Sequence, residues 1–158
     1  MPDRAINTRG KRAVVWVTGA SRGIGYEIAK EFAALQTEVV ATSRSEKSLG
    51  ALVREIKRAG GSATSYVCDV SSERSVASTA RQILKRFGRV DVLVNNAGVT
   101  YFKTLRETTP SEFDEVVDTN LRGTFLCTKA VLESMIRRRF GHIFNIISVA
   151  AQRTYTAS

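Results

Sequence analysis

Apolar residues in this chain fall into short runs rich in Val, Ile and aromatics, separated by longer stretches in which they recur every three or four positions. The runs are AVVWVT at 13–18, EVVAT at 38–42, ATSYV at 63–67, VDVLV at 90–94 and HIFNII at 142–147. Their length and composition predict strands. Between them, Ile24/Ile28/Phe32/Leu35, Leu49/Leu52/Val53/Ile56, Val76/Ala80/Ile83/Leu84/Phe87 and Leu121/Phe125/Leu126/Ala130 each form one apolar stripe at helical spacing. Strand-helix alternation along the chain predicts an α/β fold, a parallel sheet with crossover helices on its faces. Thr109-Pro110-Ser111-Glu112 reads as a helix start with proline at the first helical position, and Ala59-Gly60-Gly61 as a helix end. No repeat, low-complexity tract or linker interrupts the pattern. Residues 12–158 therefore read as one domain behind a basic N-terminal extension, 1–11.

Composition narrows the class. A chain of 158 residues suits a single core, and 43% hydrophobic with 25% charged residues is ordinary for a soluble globular protein. No apolar run approaches the roughly 20 residues that span a bilayer, and MPDRAINTRGKR lacks a following signal core. No membrane partner is expected, and the cytoplasm is the simplest compartment. Cys68 and Cys127 stand in unrelated apolar contexts, which predicts reduced core thiols and neither a disulfide framework nor a metal site. The net charge of +9 gathers in Arg4/Arg9/Lys11/Arg12 and in Arg137/Arg138/Arg139. The second group sits where a helix should end, opposing its macrodipole, and reads as a solvated face. With no reading motif or aromatic interleaving, no nucleic-acid partner is expected.

The most informative stretch is VVWVTGASRGIGYEIAKEF, in which a strand enters a glycine turn and then directly an amphipathic helix. Glycines there permit a tight turn, close approach of backbone N–H groups to a pyrophosphate, and tight helix-on-strand contact. The spacing, GxxxGxG, differs from the commoner GxGxxG fingerprint. This turn, with Gly19, Ser21, Arg22, Gly23, Ile24 and Gly25, is the candidate dinucleotide seat. At the end of the second strand an Asp or Glu would accept bonds from a ribose 2′-hydroxyl and repel a 2′-phosphate. That place holds Thr42, Ser43 and Arg44, and a guanidinium suits a phosphate. The expected cofactor is NADP(H), with Arg22 as a possible second cation.

TGASRGIG (18–25) followed by NNAG (95–98) resembles the short-chain dehydrogenase/reductase family, which implies an α/β Rossmann-like doubly wound parallel sheet, and the resemblance covers residues 12–152. Within it, Asp69 and Val70 match the segment beside the adenine, and Asn96, Ala97 and Gly98 belong to the cofactor-binding NNAG motif. Asn120 in DTNLRG matches the family's helix asparagine and Ser148 its catalytic serine. From the residues alone, Asp69 could instead cap the helix starting near Ser72, the paired asparagines could bridge loops, and Asn120 could mark a kink.

The resemblance implies hydride transfer between nicotinamide and a small-molecule carbonyl or alcohol, with homo-oligomeric assembly of the intact protein. A serine places the substrate oxygen, while a tyrosine exchanges the proton, its phenol lowered from about 10 by the lysine of a Tyr-x-x-x-Lys pair. An asparagine holds a relaying water. The chain ends ten residues after Ser148, nearer than that pair normally lies. Tyr155, in YTAS, is expected in the loop before a further helix. The chain is thus expected to be the N-terminal portion of a longer reductase, inactive alone; the alternative is a non-catalytic NADP(H)-binding module.

Overall fold

A computed structural model describes residues 12–148. The elements follow the order β1 (Val14–Thr18), α1 (Gly23–Ala34), β2 (Glu38–Ser43), α2 (Glu46–Arg58), β3 (Ser62–Val67), α3 (Glu73–Phe87) and β4 (Val92–Asn95). Then come α4 (Pro110–Val116), one wide turn of π-helix (Val117–Arg122), α5 (Gly123–Arg138) and β5 (His142–Asn145). All strand pairs are parallel, in the order β3-β2-β1-β4-β5. This is the predicted α/β Rossmann-like sheet.

Alternation along the strands builds two core layers. Val14 and Trp16 of β1, Val40 of β2 and Leu93 of β4 face α3 and α5, meeting Val76, Ile83, Leu126 and Val131. Val15 and Val17, Val39 and Ala41, and Val92 and Val94 face α1 and α2, meeting Ala29, Ala33, Leu49, Leu52 and Ile56. A strand buried on both sides is why β1 reads VVWVT with no polar residue before Thr18. Trp16 is wholly buried, and its indole N–H donates to Thr42 Oγ1 at 2.9 Å, so the ring adds bulk without an orphaned donor. Cys68 and Cys127 lie in the α3/α5 layer as free thiols.

Helix starts follow local chemistry. Ser45 and Ser72 cap α2 and α3, and Thr109 forms a capping box with Glu112 at α4, with Pro110 at the start as expected. The cap of α3 is therefore Ser72 rather than Asp69, whose Oδ1 instead accepts from the backbone N–H and hydroxyl of Ser71.

The three arginines closing α5 do not form one solvated face. Arg137 and Arg139 are exposed, but Arg138 turns back, its Nη1 2.7 Å from Oδ1 of the fully buried Asp91. Oδ2 of Asp91 accepts the Val14 N–H at 2.9 Å and faces Arg89 Nε at 2.9 Å. A buried carboxylate needs such compensation. The resulting clamp ties α5 to the amino ends of β1 and β4, and β4 accordingly starts at Val92, two residues after the apolar run begins. At β5 the ladder stops after Ile146 N–H donates to Asn95 O, and Phe144 within the strand and Ile147 beyond it are exposed. Among the described residues no helix is long and apolar enough to cross a membrane, and no cluster of metal-ligating side chains occurs. The basic residues Arg4, Arg9 and Lys11, and Tyr155, lie outside the described residues.

Candidate functional site

Chain connections leave β1 on one side toward β2 and arrive from β3 on the other side at β4, so the carboxyl ends of β1 and β4 flank a topological switch point. Open α/β sheets bind ligands in that crevice. Here a cleft of about 470 Å³ opens there, lined by the loops after β1, β2, β3 and β4. It gathers Gly19, Ser21, Arg22, Gly23 and Ile24 from the first loop, Arg44 from the second, Asp69 and Val70 from the third, and Asn96, Ala97 and Gly98 from the fourth.

Gly25 is the one residue of the predicted cofactor set that does not line the cleft. It is buried, and a Cβ on it would stand 2.3 Å from Asn96 Nδ2 and 2.7 Å from Gly19 O. Its part is to let α1 close against the fourth loop. Gly19 has φ +65°, and a Cβ there would meet Ala97 Cα at 2.7 Å, so both backbone hand and space require glycine. Asn96 fastens the corner: its Nδ2 donates to Thr18 O at 3.0 Å and Gly19 O at 3.2 Å. Thr18 Oγ1 completes the seam, accepting the N–H groups of Asn96 and Ala97 at 3.0 and 3.1 Å. Asn95 bridges too, donating to Asn145 Oδ1 and Thr128 Oγ1. Asn96 thus bridges loops and also lines the cleft, whereas Asn95, the last residue of β4, ties that strand to β5 and α5 instead of bridging loops.

Where α2 and α3 begin with a capping serine and an acid in the first turn, α1 begins at Arg22 with no side-chain cap and no acid. Its first residues, Gly23 and Ile24, line the cleft, which puts the partial positive charge of the helix start at the cleft wall. Arg44, two-thirds exposed, stands at the rim, its Nη1 3.9 Å from Glu115 Oε1 on α4.

Asn120 lies in the π-turn. Its Nδ2 donates to Val99 O and its Oδ1 accepts Val99 N–H, both at 2.9 Å, so the side chain pins the strand-end loop to the helix. The residue marks a helix irregularity and has a polar task as well; it is absent from the cleft lining, where Val99 and Thr119 appear in its place. Ser148 is exposed, three residues beyond β5 and on the same carboxyl edge of the sheet. Ser45, Val99 and Thr119 also line the cleft and were not singled out from sequence, and so do Ser43, named there only beside Arg44, and Cys68, named only as a core thiol. The serines flank Arg44 and were within reach of the same argument, whereas Thr119 is exposed to the cleft by a π-turn that no local pattern signals. Burial pushes the Cys68 thiol up, keeping it neutral at the cleft wall.

Tyr26 and Lys30 share the Tyr-x-x-x-Lys spacing but lie on α1, where Tyr26 donates to Glu55 of α2 and Lys30 pairs with the same carboxylate at 2.9 Å. That hydrogen bond raises the phenol, the opposite of what proton transfer needs.

Residues 13–158 match the family model described as short chain dehydrogenase. The chain belongs to the short-chain dehydrogenase family. Among curated relatives it is 40% identical over 142 residues to the short-chain reductase protein NovJ of Streptomyces niveus, covering 90% of this chain and 54% of that protein. A solved metagenomic short-chain oxidoreductase in complex with NADP is 42% identical with a TM-score of 0.88, covering 92% of this chain and 66% of the other. An actinorhodin polyketide ketoreductase with NADPH is 36% identical with a TM-score of 0.89, covering 92% and 56%. The chain thus spans between about half and two thirds of these family members.

Proposed function

We propose that this chain is the dinucleotide-binding part of an NADP(H)-dependent short-chain oxidoreductase acting on a small-molecule carbonyl or alcohol. One observation carries the reading: alone among the helices that follow a strand of the first three, α1 begins uncapped and acid-free, and it does so at the wall of the switch-point cleft. The residues present fit the cofactor. Backbone N–H groups of the turn from Ser21 to Ile24 would take the pyrophosphate, the Ala20 N–H being held by Thr42 O, with Gly25 keeping α1 close behind them and Arg22 adding positive charge. Arg44 would hold a 2′-phosphate, Asp69 and Val70 would border the adenine, and Asn96, Ala97 and Gly98 would form the floor. The NADP and NADPH carried by the solved relatives support that choice.

When bound, the cofactor supplies or accepts a hydride at nicotinamide C4. In this reading the Ser148 hydroxyl positions the substrate oxygen by a hydrogen bond. Asn120 acts on the reaction by holding the Val99 backbone, and so the loop beside the nicotinamide end, in place. The intact protein's cytoplasmic location and homo-oligomeric assembly belong to the same proposal.

Calorimetry on the 158-residue chain tests it, with NADP⁺ and NAD⁺ titrated into the unchanged chain and Arg44→Ala. A charge-assisted phosphate contact contributes about 1.5–3 kcal/mol, which exposure at the rim reduces to about 1–2. Arg44→Ala should weaken NADP⁺ roughly 5- to 30-fold and leave NAD⁺ nearly unchanged. Equal losses for the two nucleotides would reject the 2′-phosphate role, and absence of heat with either would reject the reading.

A further inference from the structure

The charge opposite Arg44 comes from a place no local reading reaches. Glu115, on the last turn of α4, brings Oε1 to 3.9 Å from Arg44 Nη1. Its other oxygen, Oε2, accepts the hydroxyl of Tyr101, from the loop between β4 and α4. Tyr101 is in turn flanked by Lys103, which pairs with Glu112 one turn back on α4. The carboxylate is therefore tethered, and it reaches the guanidinium that follows β2 from a helix that follows β4.

We infer that Glu115 is a cofactor-discriminating residue, a charge counterweight that competes with the 2′-phosphate for the Arg44 guanidinium. The inference rests on the NADP(H) reading above and adds to it a second determinant of the 2′ position. Binding a 2′-phosphate brings up to two negative charges to a guanidinium that a carboxylate already neutralises in part. Arg44 must then leave Glu115 or share itself, and the phosphate meets the carboxylate's repulsion at the same rim. A 2′-hydroxyl carries no charge and meets neither penalty. Glu115 thus weakens NADP(H) selectively and narrows the preference that Arg44 creates. Tyr101 sharpens the effect by holding the carboxylate where it faces Arg44. Both Arg44 and Glu115 remain substantially exposed, so the contribution is that of a solvent-screened pair.

The test is Glu115→Gln in the 158-residue chain, with NADP⁺ and NAD⁺ affinities measured by calorimetry at low salt and at about 1 M salt, where the Debye length shrinks to about 3 Å. Glu115→Gln should tighten NADP⁺ about two- to tenfold at low salt, leave NAD⁺ within twofold, and lose most of its advantage at high salt. Asp114→Asn makes the same charge change one residue away on an exposed position and should alter neither nucleotide appreciably. An NADP⁺ affinity unchanged or weakened in Glu115→Gln, an equal gain for NAD⁺, or an equal gain in Asp114→Asn overturns the inference. The Arg44→Ala titration separates the two layers: if it weakens NADP⁺ selectively while Glu115→Gln does nothing, the counterweight falls and the parent reading stands. If Arg44→Ala has no selective effect, or the unchanged chain binds neither nucleotide, both fall together.

Discussion

Gly25→Ala adds one methyl group and should destabilise this protein, whereas the same change at Gly50 should stabilise it. At Gly25 the new Cβ would sit 2.3 Å from Asn96 Nδ2 and 2.7 Å from the Gly19 carbonyl oxygen, the second of which is backbone and cannot swing aside. Overpacking of this kind costs about 1–3 kcal/mol. Displacing Asn96 also forfeits its bonds to Thr18 O and Gly19 O, each contributing about 1 kcal/mol. Against this, alanine is favoured over glycine in a helix by about 0.5–1 kcal/mol. The net expectation is a loss of about 2–4.5 kcal/mol, a fall in Tm of roughly 4–18 °C for a domain this size. At Gly50, in α2, the added Cβ meets only Arg54 Nη1 at 3.3 Å, the far end of a flexible side chain. There the helix preference stands alone, a gain of about 0.5–1 kcal/mol. Urea titration followed by circular dichroism, with thermal melts alongside, measures both variants. A Gly25→Ala protein as stable as the unchanged chain would refute the account of the corner as a backbone seam closed around Asn96, and with it the reason for the third glycine.

Two further expectations test other parts of the structure. Asp91→Ala leaves Arg138 and Arg89 facing an empty buried site and frees the Val14 N–H, and should cost about 3–5 kcal/mol; a loss under about 1 kcal/mol, read from urea midpoints, would show that the clamp does little. Burial pushes the Cys127 thiol up to about 12, from an ordinary value of 9.0. Between those values the unfolded chain releases a proton that the folded chain keeps, so the thiol's contribution to stability declines as pH rises, by up to about 1.4 kcal/mol per unit. The stability difference between the unchanged chain and Cys127→Ala should therefore shrink from pH 8.5 to 10.5, and a difference that stays constant would contradict the burial of that thiol.

Much of the fold was legible because its causes are local. Val15 and Val17 face one layer and Val14 and Trp16 the other, and a run apolar at every position already says that both faces are covered. The glycine turn was legible for the same reason: positive φ at Gly19 and the passage from strand into helix are properties of adjacent residues. Thr109, Pro110 and Glu112 likewise announce α4 by contacts within one turn.

What the sequence left open concerned partners distant along the chain. It marked Arg137, Arg138 and Arg139 alike; only the closing of α5 over β4 turned Arg138 toward a carboxylate 47 positions away. It marked Asn120 as out of place in a helix, but the π-turn and the paired bonds to Val99 arise from packing against the β4 loop. It offered Gly25 as a cleft residue, whereas the folded corner uses it to admit Asn96. By itself the chain determined which segments become strands and helices and which of their faces turn inward, since hydrophobic period and turn chemistry act over a few residues. The tertiary structure decided which charged and amide side chains meet: Arg44 reaches Glu115, and Asn96 and Asn120 their backbone partners, where the loops converge at the carboxyl edge of the sheet, and Arg138 reaches Asp91 where α5 closes over the amino ends of β1 and β4.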